Sequence, residues 1–122
     1  MPNRGMRGSA LFIAGLMGAF GVAAAAAASH GADPRLLGGA SAMCLAHAPA
    51  LVALHAGWAQ FRTAAVAALL LAAGTAVFAA DLTMRHFTGQ GLFPMSAPLG
   101  GLMMMAGWFA VAIGAFLPRK VD

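Results

Sequence analysis

Few side chains in this sequence are equipped to ligate a metal, relay a proton or carry a charge inside an apolar chain. They are His30, His47, His55 and His86, the single Cys44, and Asp81 followed four residues later by Arg85. Histidine changes charge near neutral pH and is the commonest metal ligand. An ionisable group held within lipid is costly, which makes it a functional candidate by default. His47 stands out. Cys44 precedes it by three residues and Pro49 follows by two, and a proline withdraws an N–H from the helix and leaves a carbonyl without its partner. The simplest role for His47 is a neutral imidazole hydrogen-bonded to a neighbouring helix, and the functional alternative is a proton relay or ligand.

Spacing limits what these groups can do together. His47 and His55 lie about 12 Å apart along a helix and about 80° around it, so they cannot be the two axial ligands of one haem. A haem held by two histidines would need His47 paired across a homodimer. His30 with His86 offers two ligands, short of a closed zinc site. No metal or cofactor is therefore expected. Asp81 and Arg85 share a face if the helix continues, which predicts a local ion pair at the helix end, with Arg35 as an alternative partner for Asp81. An exposed pair of this kind is worth about 0.3–0.5 kcal/mol.

The elements that must position these residues follow from composition. Of 122 residues, 61% are hydrophobic and 8% charged, against roughly 25% charged in an ordinary soluble domain. A soluble domain of this length could not cover its surface with so few charges. The net charge of +4 does not argue for nucleic acid, because the seven basic residues are scattered singly or in pairs. Stretches of about 20 apolar residues are long enough to cross a bilayer. Four occur, at about residues 9–28, 36–57, 63–82 and 98–117, in a single transmembrane domain covering 1–122. The expected fold is all-α, an integral membrane four-helix bundle of four antiparallel spans.

Orientation follows from basic residues near the span ends. Arg4, Arg7, Arg62, Arg119 and Lys120 fall on one side, against Arg35 and Arg85 on the other, which predicts both termini in the cytoplasm. Trp58 and Phe61 beside Arg62 read as an inner interfacial anchor, and Phe87 and Phe93 as an outer one. Arg4 and Arg7, an apolar run and small residues before Ser29 also have the anatomy of a cleaved signal peptide. The run is near full span length and its glycines are spaced for packing, so a retained first span is expected.

Small residues mark where helices approach closely in lipid. Gly15, Gly18 and Gly21, with Ala14 and Ala25, form such a stripe in the first span. Gly100, Gly107 and Gly114 recur seven apart in the fourth, as in the seam of left-handed packing. Met103, Met104 and Met105 would fill gaps or face lipid. Trp108 lies mid-span, where its indole N–H needs a partner, and the depth it shares with His47 predicts a hydrogen bond to that region.

Three segments resemble the bacterial family called domain of unknown function 423, whose eukaryotic relatives are of the transmembrane protein 256 type. GAFGVAAAAAASHG, 18–31, is similar to the family's Gly-Ala-rich first span closing in Ala-His-Gly, carried here by His30 and Gly31. LAHAPALVAL, 45–54, resembles its His-Ala motif at His47 and Ala48. APLGGLMMMAGW, 97–108, resembles its Pro-Ile-Gly-Gly turn leading to Gly-Trp, at Pro98, Gly100, Gly101, Gly107 and Trp108. Between them, the family's Phe-Ser-Gly-Ser-Leu-Tyr is here Phe78-Ala79-Ala80-Asp81-Leu82-Thr83. The resemblance implies a four-span inner membrane protein of unassigned activity and brings no known cofactor.

No paired midplane carboxylates, nucleophile elbow or phosphate-binding loop is present, so no enzyme is expected. The leading expectation is a non-catalytic accessory or assembly subunit that packs against a larger membrane complex, such as a respiratory one, in the bacterial inner membrane. A small homo-oligomeric transporter or channel is the alternative, for which the polar residues at hand are His47, His55, Ser41 and Thr75. A haem- or quinone-associated module is the third. The expected partners are the lipid bilayer and other membrane subunits or copies of the same chain, not nucleic acid.

Overall fold

The computed structural model describes residues 4–118, which form α1 (Arg4–His30), α2 (Arg35–Ala56), α3 (Ala64–Thr88) and α4 (Ser96–Gly114). Among the described residues there is no strand. Each helix is long and apolar enough to cross a membrane. Arg119 and Lys120, two of the five cations used to orient the chain, lie outside the described residues.

Apolar runs locate the helices but not their ends. α1 begins at Arg4 and α3 continues to Thr88, past the 9 and 82 read from hydropathy. A span stops being apolar where lipid stops, whereas its helix continues until the backbone is capped. α3 ends at Gly89, whose left-handed conformation (φ 78°) turns its N–H onto the Arg85 carbonyl at 2.9 Å, a turn open to glycine at no steric cost. α2 runs through Pro49 as one helix, although proline has no N–H to offer there.

The four helices form two close pairs. α1 lies along α2 and α4 along α3; α2 and α3 join the pairs, and α1 touches α3 only lightly. No Cα of α2 comes within 8 Å of one in α4. In the first pair α1 presents Ala10, Ala14, Met17, Gly21, Ala24 and Ala28, all buried at helical spacing. A methyl group at Gly21 would meet the Leu45 side chain at 2.8 Å, and the Ser41 hydroxyl donates to the Gly21 carbonyl at 2.6 Å. In the second pair the backbones come close at Gly74 and Gly100. A Cβ on Gly74 would stand 2.8 Å from the Gly100 carbonyl oxygen, and one on Gly100 would stand 2.8 Å from that of Gly74. Gly107 lies against Leu71 and Gly114 against Phe61 and Thr63, whose hydroxyl donates to the Ala110 carbonyl at 2.6 Å.

The seam at Gly100, Gly107 and Gly114 therefore meets α3, and Gly18 faces Ala48. Two expectations require correction. Gly15 is exposed and nothing lies within 4 Å of a Cβ built there, because the inward phase of α1 is set by Ala10, Ala14 and Met17. Trp58 is no interfacial anchor: it is 5% exposed and packs with Leu51, Leu54 and Ala64 in the core. Phe87 and Phe93 are exposed.

Gly100→Leu forces a side chain into the α3 backbone and is expected to cost at least about 3 kcal/mol, or to abolish folding. Gly15→Ala gains helix propensity with no clash and should leave stability unchanged or raise it by up to about 1 kcal/mol. Thermal unfolding of the detergent-solubilised variants measures both.

Candidate functional site

Polar chemistry concentrates in two places, one midway along the helices and one at a bundle end. At the first, Trp108 of α4 donates its indole N–H to Nε2 of His47 in α2 at 3.1 Å, with ring centroids 5.7 Å apart and the planes tilted by 54°. The other imidazole nitrogen, Nδ1, lies 2.8 Å from the Met43 carbonyl oxygen. An indole N–H only donates and a carbonyl only accepts. The proton of His47 therefore sits on Nδ1, and Nε2 is the acceptor of a neutral ring. Both nitrogens are engaged, so a metal or haem iron at Nε2 would have to displace the indole. His47 is buried, while Trp108 is 46% exposed, its ring flank turned outward and its N–H inward. The bond bridges two helices whose backbones stay apart.

The second cluster centres on Asp81, which is 0% exposed. Its carboxylate accepts from the Ser96 hydroxyl at 2.5 Å, from the Leu92 backbone N–H at 2.9 Å, and from Arg85 Nε and Nη2 at 3.3 and 3.4 Å. The ion pair with Arg85 expected from the sequence exists, but the exposed local pair does not describe it. Arg85 supplies the two longest contacts of four, and the short ones come from the chain that returns into α4. Sequence reasoning missed Ser96 and Leu92, which lie 15 and 11 residues downstream and outside any helical spacing. Arg35 is not among the partners of Asp81; its backbone N–H donates to the Asp33 carboxylate at 3.0 Å. The cluster fixes the segment from Gly89 to Ser96, including Met95, whose left-handed backbone (φ 68°) is one that side chains other than glycine rarely adopt. Ser96 Oγ in turn accepts from the Phe93 N–H at 3.4 Å.

The remaining polar residues stand apart from these clusters. His55 and Arg7 exchange bonds at the opposite end, Arg7 Nε to the His55 carbonyl and His55 Nδ1 to the Arg7 carbonyl, both at 2.9 Å. Thr75 is buried and donates to Leu71 of its own helix at 2.6 Å. Cys44 is buried with a free thiol and borders Gly21. His30 is exposed at the end of α1, and His86 stacks edge-on against Phe87. Among the described residues, no three of His, Cys, Asp or Glu gather as a metal site requires.

Four apolar helices closed by internal hydrogen bonds define a class, the small multi-helix membrane proteins. Residues 14–101 match the family model described as "Protein of unknown function (DUF423)", and the chain belongs to that family. No solved structure matches it. The matched region holds Gly21, His47, Gly74, Asp81, Ser96 and Gly100 and stops short of Trp108.

Asp81→Ala would leave the Leu92 N–H and the Ser96 hydroxyl without their acceptor, at about 1–3 kcal/mol for each buried group. Arg85→Gln removes only the long contacts and should cost under about 1 kcal/mol. Unfolding midpoints in detergent should rank wild type and Arg85→Gln close together and Asp81→Ala well below. Trp108→Phe keeps the ring but loses the donor, and is expected to cost about 0.6–1.7 kcal/mol, the range of hydrogen bonds between membrane helices.

Proposed function

We propose that this protein is a non-catalytic subunit that packs against a larger assembly in the bacterial cytoplasmic membrane. In this reading it crosses that membrane four times, neighbouring spans antiparallel and both termini on the cytoplasmic side. One observation carries the reading: the buried polar side chains hold the fold itself. Ser41 bonds to Gly21, Thr75 to Leu71, His47 to Trp108, and Asp81 to Ser96 and Leu92. A transport path needs polar groups facing a shared passage, and these are engaged within or between helices. What the protein offers a neighbour is its outer surface, where Leu102, Met105, Phe109, Ile113 and Phe116 are exposed from Leu102 of α4 onward. The sequence supports the orientation: with four spans, Arg4, Arg7, Arg62, Arg119 and Lys120 belong to one side and Arg35 and Arg85 to the other, five cations against two.

Native mass spectrometry of the tagged chain, extracted in mild detergent from its own membranes, tests the role. Recovery at fixed stoichiometry within a larger assembly is the expected result; recovery only as a monomer or homo-oligomer refutes it. Topology is read separately in a Cys44→Ala background. A membrane-impermeant maleimide applied from outside should label Gln90→Cys and leave Gln60→Cys unlabelled.

A further inference from the structure

The two pairs leave an apolar cleft between α2 and α4, on the side where those helices do not meet. Its deeper part, about 270 Å³, runs beneath Trp108 between Ala53 and Leu54 of α2 and Leu71 of α3. A second part of about 390 Å³ continues to the bundle end beside Gln60, Gly114 and Leu117. Phe61 and Val111 border both parts, so the two adjoin along one face of the molecule. The hydrogen bond from Trp108 to His47 closes the inner end. From Trp108 to Gly114, where α4 ends, the two parts follow about 9 Å of helix axis, close to a third of a hydrocarbon core of about 30 Å.

We propose that this groove seats one acyl chain of an anionic phospholipid whose phosphate is held at Arg62. The inner wall is almost entirely alanine, leucine, valine and aromatic carbon, and an unfilled apolar gap forfeits dispersion contacts along its whole lining. A flexible hydrocarbon chain can bend past Phe61 and Val111 to occupy both parts. Charge at the mouth selects the headgroup. Arg62 follows Phe61, and its Nε donates to the carbonyl of Pro118, the residue after Leu117, at 3.2 Å. That bond ties together the two chain segments that border the mouth and fixes the guanidinium there. Its terminal amino groups have no other partner among the described residues. Arginine presents a planar fork of donors suited to a phosphodiester. Basic pockets between membrane helices recognise anionic headgroups by this chemistry.

The inference rests on the chain being a membrane protein, and is independent of its orientation and of the subunit role. The test is native mass spectrometry of the full chain in detergent, titrated with dioleoyl phosphatidylglycerol or dioleoyl phosphatidylcholine. Wild type should retain one phosphatidylglycerol with about fivefold preference over phosphatidylcholine, the ratio expected for one arginine at an anionic headgroup. Arg62→Gln should bring the two lipids to parity. Ala53→Phe fills the groove from α2 and should lose both lipids; Ala115→Leu does the same from the α4 side if the first variant fails to fold. Equal retention of the two lipids by wild type, or undiminished retention when the groove is filled, overturns the proposal. Detergent micelles have no sides, so failure here is distinct from failure of the topology, which maleimide labelling reads, or of the assembly, which recovery from native membranes reads.

Discussion

Backbone contact between Gly74 and Gly100 is the constraint on which the second half of the molecule depends. Lipid is as apolar as a leucine side chain, so helices in a bilayer gain little by hiding apolar surface from it and associate through close packing instead. At this crossing even a methyl group on either helix would meet a carbonyl oxygen at 2.8 Å. That proximity sets α4 against α3 and thereby decides where every polar group of α4 falls. Ser96 arrives at Asp81, Thr63 faces the Ala110 carbonyl, and Trp108 projects past α3 far enough to reach His47 on α2.

Hydrogen bonds then divide the labour between holding a helix pair together and joining two of them. Ser41 with Gly21 and Arg7 with His55 act within the first pair; Thr63 with Ala110 and Asp81 with Ser96 act within the second. Trp108 with His47 crosses from one pair to the other, and it does so where the backbones leave a gap. The tautomer of His47 is a consequence of this placement, because the same ring must donate to a carbonyl and accept from an indole. A residue that sequence marks as a candidate relay is thus occupied on both sides as a structural tie.

Legibility in the sequence tracked how local each signal is. Four apolar runs and the sevenfold glycine spacing of α4 are properties of single segments, and they locate the helices and the seam. Gly74 carries no such signal, since one glycine in a helix rich in alanine and leucine sets no period; its importance comes from the partner it meets. In α1 the abundance of small residues blurs the phase, so Gly15 reads as part of the packing stripe although it faces outward. Trp58 beside an arginine fits the pattern of an interfacial belt, and the packing of α2 on α3 overrides it. The Asp81 cluster was half visible. A helical repeat of four reveals Arg85, whereas Ser96 and Leu92 come into reach only after the chain turns at Gly89 and returns.

The paired arrangement of the helices has a bearing on how the chain is made. Spans leave a ribosome in order, and a polar group that enters hydrocarbon before its partner exists is exposed to the full cost of lost hydration. Here Ser41 finds its acceptor in the span synthesised just before it, and the carboxylate of Asp81 waits only for the next fifteen residues. His47 is different: its indole donor is 61 positions downstream, so the imidazole spends most of translation without it. Biogenesis in helix pairs would close each set of local bonds as it emerges and leave the union of the two pairs as the last event, completed when the fourth span arrives.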